Sequence, residues 1–242
     1  MIASIHQPHY FPWIGYFDKM AKADMFVLLD QVQLEKNSLM LKNRVIDTNG
    51  EKKYITITAD TKDYLNREYC AIETKDDEIW KSRQLNAVQS YYRKAAGFKE
   101  VFPVFRDFLM RDYSTVCQWT IASIHLIRDL LSIDTKMILQ SQVDYDRELK
   151  RSDLVYGICK AIGADTYFSG RGGSVEYLDR DKFAQNGVTI VFQDFDHPTY
   201  QQVNRQEFLP GVSILDMLLN CGIEGAKEKF WESVRRTHEF GQ

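Results

Sequence analysis

Proline is scarce, with 5 in 242 residues, and no apolar run approaches the roughly 18 to 20 residues needed to cross a bilayer. With hydrophobic residues at 44% and aromatics at 13%, this composition excludes disorder, fibrous repeats and a membrane span. The opening MIASIHQPHY has neither a basic leader nor a long apolar segment, so a cytoplasmic location is expected. Cysteine is thin as well: Cys70, Cys117, Cys159 and Cys221 lie far apart with no CxxC pair, which suggests neither a zinc knuckle nor a disulfide framework. Nor is there an excess of one charge. The 31 basic and 34 acidic side chains leave a net charge of -3 and no broad attraction for nucleic acid. Gly-x-Ser-x-Gly, HExxH, EF-hand and zinc-deaminase patterns are absent, so covalent acyl-enzyme and motif-borne metal chemistry have weak support.

What is present alternates. Ile2, Ala3 and Ile5 form a short apolar run that stops at His6-Gln7-Pro8-His9, as a strand would on entering a polar turn. From Trp13 to Ala23 the large apolar residues recur at helical spacing, and Met25 to Leu29 is a second apolar run closed by Asp30-Gln31. Strand, helix and strand within 30 residues predict a βαβ unit with parallel neighbours. That unit would bring His6 and Asp30 to one edge of the sheet. Residues 39–46 and 52–58 flank Asp47-Thr48-Asn49-Gly50 and predict a tight hairpin. A helical pattern covers residues 76–131, within which Pro103 would break a helix or begin one.

Alternation returns afterwards, with strands at residues 137–139, 166–168 and 188–192 and helices at 153–162, 175–183 and 212–219. Asn220-Cys221-Gly222 would end the last helix. The expected fold is α/β: a single three-layer domain over residues 1–242 with a mostly parallel sheet, a β-hairpin and a central helical insertion.

The turn after the first strand carries the densest chemistry. His6, His9 and Gln7 would serve a phosphoryl group, with aromatic residues such as Tyr10 excluding water or stacking on a base or sugar. A packed, rigid turn built by Pro8, Pro12 and the aromatics is the plain alternative. Asp30 would orient a histidine or act as an acid or base, and Lys36, Asn43 and Arg44 follow it with groups suited to anion or hydroxyl binding. Ser169-Gly170-Arg171-Gly172-Gly173 is a glycine-rich strand exit that matches neither a phosphate loop nor GxGxxG. It would still admit close approach of a ligand, with Arg171 as counter-charge and Tyr177 lining the same pocket. His197 follows another strand. Ser213 and Asp216 stand at capping-box spacing, while Asp216 and Asn220 share a helix face that would reach ligand if it pointed to the strand ends. His6 and His9 lack a third ligand in pattern, so no metal ligand is assigned and the cofactor stays open.

The strings HQPHYFPWIGYFDKMAKAD at 6–24, FVLLDQVQ at 26–33, NR at 43–44, SGRGG at 169–173, EYL at 176–178, HPTYQQ at 197–202 and FLPGVSILDMLLN at 208–220 resemble the WbqC-like family. This resemblance implies a place in surface-polysaccharide or O-antigen biosynthesis. It also implies that His6, Gln7, Tyr10, Asp30, Asn43, Arg44, Ser169, His197, Asp216 and Asn220 belong to a recurring polar set. The first βαβ unit is distantly similar to Rossmann-like nucleotidylyltransferases, with His6-Gln7-Pro8-His9 standing where those enzymes carry His-x-Gly-His.

The leading expectation is a transferase acting on a nucleotide-activated sugar or another phosphorylated or acyl-activated small molecule, with His6, His9 and Asp30 as catalytic candidates. A non-catalytic nucleotide-sugar-binding component of a biosynthetic assembly is the rival, and a metal-dependent hydrolase a third. Self-association through Phe- and Tyr-rich surface leaves homodimer and monomer both open.

Overall fold

The computed structural model describes residues 1–35, 38–75, 77–172 and 174–236. Strand β1 (Ile2–His6) buries Ala3, Ser4 and Ile5, which project alternately to its two faces, as in the middle of a parallel sheet. The chain turns through residues 7–13 into α1 (Ile14–Ala21) and returns as β2 (Met25–Leu28), parallel to β1 with His6 opposite Leu28. The expected βαβ unit therefore forms. Next come β3 (Lys42–Ile46) and β4 (Lys52–Thr56), an antiparallel pair forming its own two-stranded sheet. Their connection is wider than a tight turn, because Asp47 Oδ1 accepts from the backbone N–H groups of Asn49 and Glu51, each at 2.9 Å, and organises a longer loop.

Helices α2 (Asp77–Tyr92), α3 (Phe98–Leu109) and α4 (Val116–Leu130) fill the central insertion. Pro103 neither breaks nor begins a helix: it sits inside α3, where its fixed φ suits the helix although it removes one backbone donor and crowds the carbonyl of Lys99. After β5 (Lys136–Leu139), α5 (Ser152–Ala161) and β6 (Thr166–Ser169), the single helix expected at 175–183 is two short ones, α6 (Ser174–Tyr177) and α7 (Arg180–Gln185). The Asp179 carboxylate makes the division by accepting from the Lys182 N–H at 3.0 Å, which starts a new helix. Strand β7 (Thr189–Phe192) and the long α8 (Ile214–Arg236) complete the chain. Gly222 does interrupt α8, at φ 75°, but the helix resumes beyond it instead of ending. A side chain at Gly97 would come within 2.3 Å of the Gly222 nitrogen, so this pair of glycines lets α3 and α8 meet backbone to backbone.

The five-stranded sheet has the order β5-β2-β1-β6-β7 with every neighbouring pair parallel. Strands step outward from β1 through β2 to β5, then cross back to add β6 and β7 on its other side. Chain direction away from β1 thus reverses between β1 and β6, and in open parallel sheets such a reversal opens a crevice at the carboxyl ends of the strands. One face packs Phe26 and Leu28 against α1, α2–α4 and α8 in a single large core. The opposite face sets Ala3, Ile5, Val27 and Tyr167 against Val155, Ile158 and Cys159 of α5 and Phe183 of α7. The helical insertion therefore shares its core with α1 and α8. Among the described residues no helix is long and apolar enough to cross a membrane.

Candidate functional site

The turn of residues 7–12 is held in a conformation it would not adopt alone. Phe11 has φ 38°, in a region costly for a bulky side chain, and three elements over-determine it. Its N–H donates to Ser123 Oγ at 3.1 Å, and its carbonyl accepts from Asn43 Nδ2 and Ser213 Oγ, both at 2.8 Å. Asn43 Nδ2 also donates to the Tyr10 carbonyl at 3.1 Å. The long insertion, the hairpin and α8 consequently brace the loop that carries the histidines.

Within that brace the rings of His6 and His9 meet edge to face at 4.7 Å, and the Tyr16 ring lies 4.9 Å from His6. Since the Gln7 carbonyl can only accept, its 2.9 Å contact places the proton of His6 on Nδ1 and leaves the lone pair on Nε2. Burial, reinforced by the Lys19 charge, holds His6 well below the usual imidazole range and His9 down to about 3. Both rings are neutral at physiological pH.

Lys19 approaches the same cluster from α1. It is 3% exposed; its Nζ donates to the Ile5 carbonyl at 3.3 Å and stands 5.6 Å over the Phe26 ring. Burial brings its amine down to about 7. The neighbouring charges on α1 satisfy one another instead, with Lys22 and Asp18 paired at 2.7 Å and almost wholly buried. Gln193, just past β7, locks this pair by donating to Asp18 Oδ2 at 2.7 Å and to the Gly15 carbonyl at 2.8 Å.

Two cavities flank the cluster where β1 and β6 end. The first, of about 450 Å³, is walled by Trp13, Tyr16, Phe195, Gln193 and Arg171. Trp13 lies so close across α1 that a side chain at Gly15 would fall 2.2 Å from its indole. Arg171 is exposed at the mouth, with its Nε bound to the Gln193 carbonyl at 3.0 Å. The second cavity, of about 360 Å³, is more polar, with Gln7, Glu35, Ser169 and Tyr177 in its lining. His6, Lys19, Gly170 and Gly172 line both.

Of the residues singled out from sequence, His6, Gln7, Ser169, Arg171 and Tyr177 thus come together, with His9 behind His6. Others lie elsewhere. Asp30 is buried beneath the turn after β5, accepting from the Ser141 N–H at 2.9 Å and its hydroxyl at 2.6 Å, and lines neither cavity. The shared edge expected for His6 and Asp30 exists, but the Asp30 carboxylate is spent on tying β2 to β5. Tyr10 is sealed in the core with its hydroxyl on Gln84, and Asn43 braces the turn. Arg44 reaches outward to the Tyr54 hydroxyl on the hairpin.

His197 packs against Phe195 and Phe208 behind the Trp13 wall, and its Nδ1 bonds the Pro198 carbonyl at 2.9 Å. Asp216 does not reach back to complete a capping box with Ser213. It is fully buried, and its carboxylate accepts from Tyr92, Tyr200 and Gln202 at 2.5, 2.8 and 3.0 Å. Asn220 accepts from the Val203 N–H at 2.8 Å. Lys36 lies outside the described residues.

Trp13 is one of the turn's aromatic residues expected to wall the site, whereas Lys19, Glu35, Gln193 and Phe195 were not foreseen as lining. Lys19 did leave a trace. Asp18 and Lys22 stand four apart and can pair on one helix, whereas no acidic residue lies three or four positions from Lys19. For Gln193 and Phe195, whose positions depend on strand order, no local signal exists. Among the described residues no three His, Cys, Asp or Glu side chains group as a metal site would require.

Fold and site together define a parallel α/β protein with a polar crevice at the reversal point of its sheet. A family model described as the WbqC-like protein family matches residues 7–228, and the chain belongs to that family. It is 28% identical over 224 residues to uncharacterized protein Rv1507c of Mycobacterium tuberculosis, covering 91% of this chain and 94% of that protein. No solved structure matches it.

Proposed function

We propose that the chain is a transferase of surface-polysaccharide assembly, acting in this crevice on a nucleotide-activated sugar or a related phosphorylated or acyl-activated intermediate. The single observation that carries the reading is the meeting of His6, Lys19, Gly170 and Gly172 at the wall common to two cavities, with Arg171 lining the first of them. Group transfer needs two reactants held side by side, and two chambers with one shared wall suit that demand. Trp13 and Phe195 offer aromatic surface to a base, with Arg171 at the mouth as counter-charge for phosphate. Gln7, Glu35 and Ser169 offer the mixed donors and acceptors that suit a hydroxyl-rich acceptor.

In this reading His6 works as a neutral imidazole. Its Nε2 lone pair accepts a hydrogen bond from the acceptor nucleophile and takes its proton as the nucleophile bonds to the transferred group, while the donor's bond to its phosphate or acyl-carrier leaving group breaks and that group departs with the electron pair. His9 and Tyr16 fix the ring by edge contacts, and the Gln7 carbonyl fixes its tautomer. The polysaccharide context comes from the family resemblance.

The test is product formation from panels of nucleotide sugars and acyl donors, compared between wild type and His6→Ala. Loss of at least about a hundredfold in turnover, with donor binding retained, is expected for a proton-accepting residue. Equal turnover by both proteins removes His6 from the mechanism. Saturable donor binding with no turnover by the wild type would instead make the chain a binding component.

A further inference from the structure

Lys19 is buried, borders both cavities and has no carboxylate within 4.0 Å among the described residues. Its one hydrogen bond among the described residues is to the Ile5 carbonyl, at 3.3 Å. A buried ammonium without a counter-ion is strongly disfavoured, and proteins normally supply one. Here the obvious candidate, Asp18 on the preceding position, is engaged by Lys22 and Gln193. The remaining charged or titratable groups around the cavities are His6 and His9 from β1 and its turn, Tyr16 of α1, Tyr167 of β6, Arg171 after β6, Asp194 after β7, and Glu35 and Tyr177 at the second cavity. None of the carboxylates among them pairs with Lys19.

We propose that Lys19 is the anion receptor of the crevice, its ammonium taking the phosphoryl group of the ligand at the wall the two cavities share. The inference rests on the crevice being a site for phosphorylated substrates and adds which group holds the anion. It also carries a proton balance. Burial leaves the free amine titrating at about 7, so above that pH it is largely uncharged. An arriving phosphoryl group favours the ammonium, so the amine takes one proton from solvent as the anion binds. By linkage, affinity for the anion falls by up to about tenfold per pH unit above 7, until the raised midpoint of the complex is passed.

Inorganic pyrophosphate is the probe, used with the full chain. The Lys19 side chain is followed by NMR from pH 5 to 10 in the free and saturated protein, with its signal identified by its loss in Lys19→Arg. Calorimetry at pH 8 in two buffers of different ionisation enthalpy counts the protons exchanged. The expected result is a free midpoint near 7 that rises by more than two units with pyrophosphate, and uptake of most of one proton that disappears in Lys19→Met.

Binding of pyrophosphate with an unmoved Lys19 midpoint overturns the proposal. It leaves a substrate site built on His6 and Arg171 intact. Failure of pyrophosphate to bind also overturns it, and if nucleotide sugars fail as well, the functional reading falls with it.

Discussion

The Nδ1 of His9 is shut from solvent with no hydrogen-bond partner among the described residues, and burial holds the imidazole down to about 3. In the unfolded chain the same group titrates near 6.5, so between these values the unfolded state binds more protons than the folded one. Stability is therefore complete above about pH 6.5 and is lost progressively as pH falls toward 3. His6, lowered for the same reason, adds to the loss in the same direction. Replacing His9 by Phe keeps an aromatic ring and removes the titration. The urea midpoint of wild type is expected to drop more steeply between pH 6.5 and 4 than that of His9→Phe, and parallel curves would show that His9 is not held neutral by the fold.

At the scale of elements, the legible parts were those with local causes. The strand, helix and strand of residues 2–28 follow from apolar periodicity, and glycine's access to positive φ marked Gly222, but as the end of the last helix, which instead continues to Arg236. The helix pattern of 175–183 misled because Asp179 is an N-cap within it, a local signal masked by the apolar spacing around it. Asp216 and Asn43 illustrate a different limit. A polar residue in a recurring motif reads as ligand-binding, yet the same residue types brace buried backbone, and only tertiary partners tell the two apart. Asp216 joins α8 to Tyr92 of α2 and to the segment carrying Tyr200 and Gln202. Asp216→Ala is expected to lower the unfolding free energy by about 3 kcal/mol, since it strands three buried donors. Affinity of the crevice for nucleotide sugars should remain within about twofold. Unchanged stability with lost affinity would reverse this assignment and make Asp216 a ligand contact.

For the whole molecule, the parallel class and the convergence of β1 and β6 exits were readable, since apolar runs alternating with helices imply crossover connections. The order β5-β2-β1-β6-β7 was not. Five short strands can be arranged in many ways, and which two flank the crevice depends on long-range packing that no local pattern records. That order puts Ser169 and Arg171 beside His6, brings Gln193 and Phe195 to the same wall, and leaves Asp30 to join β2 and β5. Family membership and crevice geometry are thus independent lines, one from similarity along residues 7–228 and one from the reversal point of the sheet.

A structure of the chain soaked with a library of nucleotides and nucleotide sugars tests the central claim most directly. The account predicts a ligand between His6 and Arg171, with its phosphate at the wall formed by Lys19, Gly170 and Gly172. A nucleotide sugar seated instead in the roughly 570 Å³ cavity beside Gln140 and Arg147, with the β1–β6 crevice empty, would contradict it.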